Sequence, residues 1–211
     1  MKSGIITLFI LLSLVSEIFG QDKAESTSRK FEIKLAVPIQ RAFFTDADLK
    51  DIGLPKQHRY KAGLNIGIRY YPFKRWFAEY EFGFSPEGGG FSKQFTNANY
   101  LKNSIRLGYS TSHTKKIVFS IYTGIDINLL LSAKFKNTQS GTKENVKSYF
   151  NNTTLGLPLG IDFKTKVRSY YYVGLGTFIV TGLSVVSKNI LPEEFQYIVP
   201  AFKLSFSKTI N

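Results

Sequence analysis

The sequence predicts an all-β chain closed into an eight-stranded antiparallel up-and-down transmembrane β-barrel with short periplasmic turns and long extracellular loops. Three observations predict it. Apolar residues recur at every second position through eight separate segments, the period of a strand with one face in an apolar medium. The connections between the segments alternate short and long, as when turns on one side of a membrane are tight and loops on the other are free. Glycines collect on the polar parity of the strands, where a narrow lumen must leave room for side chains that cross it. With 211 residues, 43% hydrophobic and 20% charged, the chain can bury a sizeable core, which excludes disorder and coiled coil. It contains no Cys, so disulfides, thiol catalysis and Cys-based metal sites are excluded as well.

From the N-terminus, Lys2 precedes an apolar run, Ile5 to Val15, then Ser16-Glu17 and the small Gly20 before Gln21-Asp22. That is the plan of a secretory signal peptide, predicted to occupy residues 1–20. The run is shorter than the roughly 20 apolar residues a spanning helix needs, which argues against a retained anchor. Residues 21–29 form a short polar segment, and residues 30–208 are predicted to form the barrel.

The first segment carries Phe31, Ile33, Leu35, Val37 and Ile39 on one parity. The second has Tyr60, Ala62, Leu64, Ile66, Ile68 and Tyr70, and the third Trp76, Ala78, Tyr80, Phe82 and Phe84. The fourth, Leu101, Ile105, Leu107 and Tyr109, is interrupted by Asn103, and the fifth runs from Ile117 to Leu131. Segments six to eight give Leu155 to Phe163, Tyr171 to Ile179 and Ile198 to Phe206. Pro38, Pro158 and Pro200 each lack a ladder donor, so a bulge or local strand end is expected at Pro158, inside an otherwise strong run.

Short connections are predicted near Pro72–Arg75, Ser110–Lys116 and Thr165–Arg168. Long ones are predicted near Thr45–Arg59, Pro86–Asn99, Lys134–Lys147 and Ser184–Gln196, with Gly88-Gly89-Gly90 as a flexible tip. Alternation alone fits a soluble lipocalin-like carrier with its apolar face inside equally well. Gly63, Gly67, Gly83, Gly108, Gly124, Gly156, Gly160, Gly174 and Gly176 all share the polar parity. A water-facing wall has no use for them, since glycine weakens a strand, so the polar face is predicted to be the inside. Tyr70, Tyr71, Trp76, Phe77, Tyr109, Tyr170, Tyr171 and Tyr172 lie by the short turns, where an interfacial girdle belongs.

Two segments carry a family resemblance. The stretch Trp76-Phe77-Ala78-Glu79-Tyr80-Glu81-Phe82-Gly83-Phe84-Ser85, followed by Gly88, resembles the aromatic-rich strand of the Bacteroidota outer-membrane β-barrel family, the PorT-like group. Phe119-Ser120-Ile121-Tyr122-Thr123-Gly124-Ile125 is similar to its hairpin partner. The resemblance covers roughly residues 30–208. It implies residence in the outer membrane of a Gram-negative bacterium and no single activity, the named members serving secretion and gliding machinery.

The formal net charge is +13. Inward parity holds Lys34, Lys61, Arg69, Arg106 and Lys203 against Glu32, Glu79, Glu81, Asp126 and Asp162. Buried charges persist only when paired, so these are predicted to form an ion-pair network filling the lumen beside Asn65, Tyr122 and Asn128. The excess is assigned to a basic periplasmic rim of Lys74, Arg75, Lys115, Lys116, Lys164, Lys166 and Arg168, whose turns hold no acid. Such a rim would meet anionic lipid headgroups of the outer membrane or an acidic periplasmic or envelope protein. A nucleic-acid partner fits the basic charge but not the compartment.

Acyl transfer needs a nucleophile and a base within hydrogen-bond reach. Only His58 and His113 supply an imidazole. His58 falls in the first long loop near Asp46, Asp48 and Asp51, and His113, flanked by Ser112 and Thr114, in a short turn at the opposite end. The two are predicted to share no site. The three aspartates lack the loop glycine of a Ca²⁺ site at the right spacing, and Gly88-Gly89-Gly90 lacks the Lys and helix of a phosphate loop. The expectation is a non-enzymatic, monomeric barrel with no cofactor and no metal, acting as a structural or accessory envelope component. A lipid A or phospholipid-modifying enzyme is the alternative, and the soluble carrier a second.

Overall fold

The computed structural model describes residues 30–41, 56–58, 60–73, 75–91, 94–111, 116–183 and 198–210. The strands are β1 (Lys30–Arg41), β2 (Lys56–His58), β3 (Tyr60–Ala62), β4 (Leu64–Tyr71), β5 (Trp76–Phe91), β6 (Gln94–Ser110), β7 (Ile117–Asn137), β8 (Lys143–Asn145), β9 (Thr153–Arg168), β10 (Tyr171–Gly182) and β11 (Ile198–Ile210). Eight of them form the wall in the order β11-β10-β9-β7-β6-β5-β4-β1, every neighbour antiparallel, and β1 pairs again with β11 to close it. All eight predicted segments are strands. Closure leaves no edge of unpaired backbone groups in the membrane, which lipid cannot satisfy.

Parity follows the reading with the polar face inside. Ile33, Ile66, Phe82, Ile105, Ile121, Leu159, Leu175 and Leu204 are exposed on the outside, while Glu32, Lys34, Arg69, Glu79, Arg106 and Lys203 are buried inside. This inverts the lipocalin pattern and overturns the soluble-carrier alternative. Burying such an apolar exterior requires hydrocarbon. The predicted inward glycines line the lumen, where a side chain would collide: a Cβ on Gly108 would lie 2.3 Å from the Phe77 ring, and one on Gly160 would lie 2.4 Å from the Tyr122 ring.

Strands run further than the alternation predicts. The expected loop Pro86–Asn99 is paired strand, β5 and β6 holding register to Phe91↔Gln94, so Gly88-Gly89-Gly90 lies in β5 rather than at a free tip. Similarly, β7 continues to Asn137 and pairs with β8, Lys136 opposite Lys143. The physical reason is that apolar alternation records only the part of a strand in hydrocarbon. Above it both faces meet water and the ladder continues without a hydrophobic pattern. Among the described residues the wall therefore rises higher along β5, β6 and β7 than along β9, β10 and β11.

Two further expectations are corrected. No bulge marks Pro158: β9 passes through it without a register shift, and the β7–β9 ladder skips only the rungs between Thr123↔Leu159 and Asp126↔Gly156. There the Thr123 hydroxyl donates to the Pro158 carbonyl at 3.0 Å. The bulges lie elsewhere, where Asn99↔Ser132 gives way to Tyr100↔Leu130 and around Val167. The connection near Thr165–Arg168 is also strand, because β9 reaches Arg168 before the turn at 169–170.

These faces carry a direct expectation. Ile121→Arg, on the outer face of β7, should cost about 2–4 kcal/mol in a urea titration of folding into vesicles, the price of a cation at the bilayer midplane. Gly160→Leu should instead block folding by its clash with Tyr122, seen as loss of the faster-migrating unboiled band on a gel.

Candidate functional site

The lumen is built by inward residues of all eight wall strands, and its charges are organised around Glu79. Antiparallel register sets Glu79 opposite Arg69 on one side and Arg106 on the other. Arg69 Nε donates to Glu79 Oε2 at 2.6 Å, Lys34 Nζ lies 2.5 Å from Oε1, and Arg106 Nη1 lies 3.3 Å from the same oxygen. Glu81, one inward position on, takes Arg106 Nη1 at 2.8 Å and Lys34 at 2.9 Å, with Asn65 Nδ2 donating to it at 2.5 Å. Asp162 joins from the far wall, receiving Lys203 at 2.9 Å and Arg69 at 3.3 Å. Lys203 also donates to the Tyr122 hydroxyl at 3.2 Å, and the Arg69 guanidinium stacks 3.8 Å above the Phe77 ring. In this low-dielectric space each ion has at least one opposite partner, the condition for keeping charges buried.

Two cations belong to this network that the alternation did not assign to it. Lys102, 5% exposed, lies 2.5 Å from Asp126 Oδ2. Asn103 obscures the phase of the fourth segment, which hid its neighbour's inward direction. Lys164, placed above on the periplasmic rim, is also 5% exposed and pairs with Glu32 inside the barrel; the Tyr71 hydroxyl donates to the same carboxylate at 2.9 Å. Because β9 runs on to Arg168, Lys164 is a wall residue and not a turn residue. The described buried set is therefore six cations against five carboxylates, not an even balance. Lys61 stands half-buried at the loop-side mouth, donating to the Glu87 carbonyl at 2.8 Å and to Asn97 Oδ1 at 2.6 Å. Asn65, Tyr122 and Asn128 are buried as predicted.

Apolar side chains fill what the ions leave. Tyr71, Phe77, Tyr122, Phe178, Val180, Val199 and Ala201 form one buried cluster, and Ala98, Tyr100, Leu130 and Ala133 form a second above it. Phe150 packs against both, so the connection after β7 folds over the barrel mouth. Tyr71, Phe77 and Tyr172 thus leave the predicted girdle for the lumen. The girdle retains Tyr70 stacked on Phe31 at 5.0 Å, Trp76 edge-on to Tyr109 at 5.4 Å, and Tyr171 stacked on Phe206 at 5.6 Å.

At the short-turn end Arg75, Lys116 and Arg168 are exposed and Lys166 is half-buried, with Arg75 donating to the Tyr109 hydroxyl at 2.8 Å. Lys208, outside the predicted rim, joins it over the Tyr171 ring at 5.6 Å. Lys74 and Lys115 lie outside the described residues, as do His113, Ser112, Thr114, Asp46, Asp48 and Asp51. The backbone of His58 lies in β2 opposite Gly89, above the loop-side mouth.

The architecture defines an outer-membrane β-barrel of eight strands, with a polar, filled interior and an apolar exterior that places it in that membrane. No family model and no curated sequence matches the chain. Solved structures do. Ail, the attachment invasion locus protein of Yersinia pestis, in complex with the heparin analogue sucrose octasulfate, is similar at a TM-score of 0.53 and 12% identity, over 87% of this chain and 100% of that one. Neisserial surface protein A is similar at a TM-score of 0.55 and 8% identity, over 84% and 96%. OprG from Pseudomonas aeruginosa is similar at 0.50 and 10%, over 86% and 96%. At these identities the likeness is one of fold.

Two outcomes test the lumen. Glu79→Gln leaves Lys34, Arg69 and Arg106 short of a shared counter-charge and should destabilise the barrel by about 3–5 kcal/mol, the scale for breaking a buried ionic cluster, measured by urea unfolding in detergent. Burial and the nearby Asp126, working against Lys102 and Lys61, push the carboxyl of Glu87, beyond the apolar band, from 4.5 up to about 7. The folded state then binds the proton more tightly than the unfolded one, so stability should fall as pH rises from about 4.5 through about 7. Glu87→Gln should flatten that part of the pH–stability curve.

Proposed function

We propose that the protein is a non-enzymatic, monomeric barrel that works as a structural or accessory component of the envelope, through surfaces outside the membrane rather than through its lumen. The observation that carries this reading is the filling of the bore. Eleven buried charged residues, two aromatic-containing clusters and the overlying Phe150 occupy the space a solute would need. Work on solutes is thereby assigned away from the interior, and what faces the aqueous phases becomes the working part. On the periplasmic side that part is the rim of Arg75, Lys116, Lys166, Arg168 and Lys208, joined in sequence by Lys74 and Lys115. An acidic periplasmic or envelope protein, or anionic inner-leaflet lipid, is the complementary partner. The resemblance to the PorT-like group favours the same role, an accessory to envelope machinery in a Bacteroidota cell.

Purified protein in planar bilayers is expected to show no steady conductance, and reproducible openings would contradict the reading. Replacing Arg75, Lys116, Lys166, Arg168 and Lys208 by Gln should leave stability almost unchanged, since exposed charges contribute little. The same change should reduce co-purification of envelope partners at low salt, with the wild-type association weakening as salt rises.

A further inference from the structure

The tall side of the wall carries a second basic surface, at the opposite end from the rim. Above the bulge Ala98 and Ala133 face one another and are fully buried toward the lumen. The alternate residues Asn99, Ser132, Lys134 and Lys136 therefore lie on the opposite face, the side of the lipid-facing Leu101 and Leu129, where Lys136 stands across the ladder from the buried Phe95. Asn99 Nδ2 donates to Ser132 Oγ at 3.0 Å across that face. The short β8 adds to the same side, Asn145 opposite Lys134 and Lys143 opposite Lys136. Glu144, the acid of this hairpin, sits opposite Phe135 and so on the other face. Lys134 and Lys143 are exposed, and Lys136 is half-buried with its ammonium 5.7 Å from the Phe95 ring. Among the described residues none of the three lysines has a carboxylate partner.

Two physical features make this more than a solvated edge. Lys136 and Lys143 are directly opposed across the ladder, where like charges repel, and an anion shared between them removes that penalty. Their height is also specific. Leu131 is the last apolar outward residue of β7, and Lys134 and Lys136 follow it by three and five residues. At ~3.3 Å per residue and a tilt of about 35–45°, they stand roughly 7 and 13 Å above the hydrocarbon edge. This is the layer of phosphorylated sugar headgroups in the outer leaflet of this membrane. We infer that the outward face of β6, β7 and β8 binds the phosphate groups of a phosphorylated outer-leaflet glycolipid, its acyl chains lying on the apolar band below. Lys134, Lys136 and Lys143 supply the cations, Lys being a flexible point-charge ligand for phosphate. The surrounding Asn and Ser residues supply hydrogen bonds to the sugars.

The test uses the full mature barrel in detergent with bisphosphorylated hexa-acyl lipid A as the probe, bound lipid being counted by native mass spectrometry at low and high salt. Wild type should bind it more tightly than the same lipid with its phosphates removed, and the binding should weaken with salt. Lys134→Gln/Lys136→Gln/Lys143→Gln should lose affinity about tenfold or more, since each cation near an anionic surface contributes on the order of 1 kcal/mol. The corresponding Lys→Arg triple variant should retain binding, and both variants should keep the folded gel migration. In a background already lacking the rim cations, Arg75→Gln/Lys116→Gln/Arg168→Gln, the loss of lipid A affinity caused by the three lysine substitutions should persist. Equal binding by wild type and the lysine variant, or no such loss in the rim-deficient background, would overturn the proposal. So would equal retention of dephosphorylated lipid A. Inorganic phosphate displacing the lipid at millimolar concentration would mark a free-phosphate site and overturn the lipid assignment.

Discussion

A sheet in hydrocarbon has no water to satisfy its edges, and everything else in this molecule follows from that constraint. The edge strands must meet, and they do, β1 pairing with β11 over ten residues from Phe31↔Ile210 to Gln40↔Ala201. Closing eight strands makes a narrow tube whose inner residues crowd one another. Glycine is then required wherever a long side chain crosses, as at Gly108 beneath Phe77 and Gly160 beneath Tyr122. The remaining inner positions are divided between apolar fillers such as Phe77, Tyr122 and Phe178 and paired ions, and it is the ions that set the lumen apart from the lipid-facing side. Glu79, holding Lys34, Arg69 and Arg106 from three different strands, stitches the walls across the bore.

The same constraint explains how much was legible in the amino-acid order. Period-two alternation is imposed by lipid on one side and ions on the other, so all eight wall strands and nine of the buried network residues could be read directly. Lys102 was missed because Asn103 stands where an apolar residue would have set the phase. The apolar run ends before the strand does, so the alternation puts Lys164 in a turn although β9 goes on to Arg168. Tyr71, Phe77 and Tyr172 were assigned to the girdle because each neighbours a true girdle residue, and proximity in sequence does not separate the faces. Above the membrane the alternation stops although the ladder does not, which is why the upper parts of β5, β6 and β7 could be read only as loop. That is also where the outward lysines stand.

Charge is thus partitioned by environment. Inside, each cation faces a carboxylate, and the pairs serve cohesion. Outside, cations stand at both ends without a carboxylate partner among the described residues: Arg75, Lys116, Arg168 and Lys208 below, Lys134, Lys136 and Lys143 above. Positive fields at two membrane faces bracket an apolar band between them, which fits a protein anchored by phosphate-bearing lipids and recognised from the aqueous side. The aromatic pairs Phe31–Tyr70, Trp76–Tyr109 and Tyr171–Phe206 fix the lower edge of that band.

The central claim is the direction of each side chain along the wall, and the chain's lack of cysteine permits a direct reading. Single cysteines introduced from Ile117 to Ala133 along β7, each spin-labelled, would be compared for collision with oxygen and with a water-soluble nickel reagent in lipid vesicles. Oxygen accessibility should peak at Phe119, Ile121, Ile125, Ile127 and Leu129 and fall at Val118, Tyr122, Asp126 and Leu130. The two-residue rhythm should then slip at Leu131–Ser132, where the bulge puts two outward residues in succession. A rhythm of the opposite phase, or none, would contradict the account.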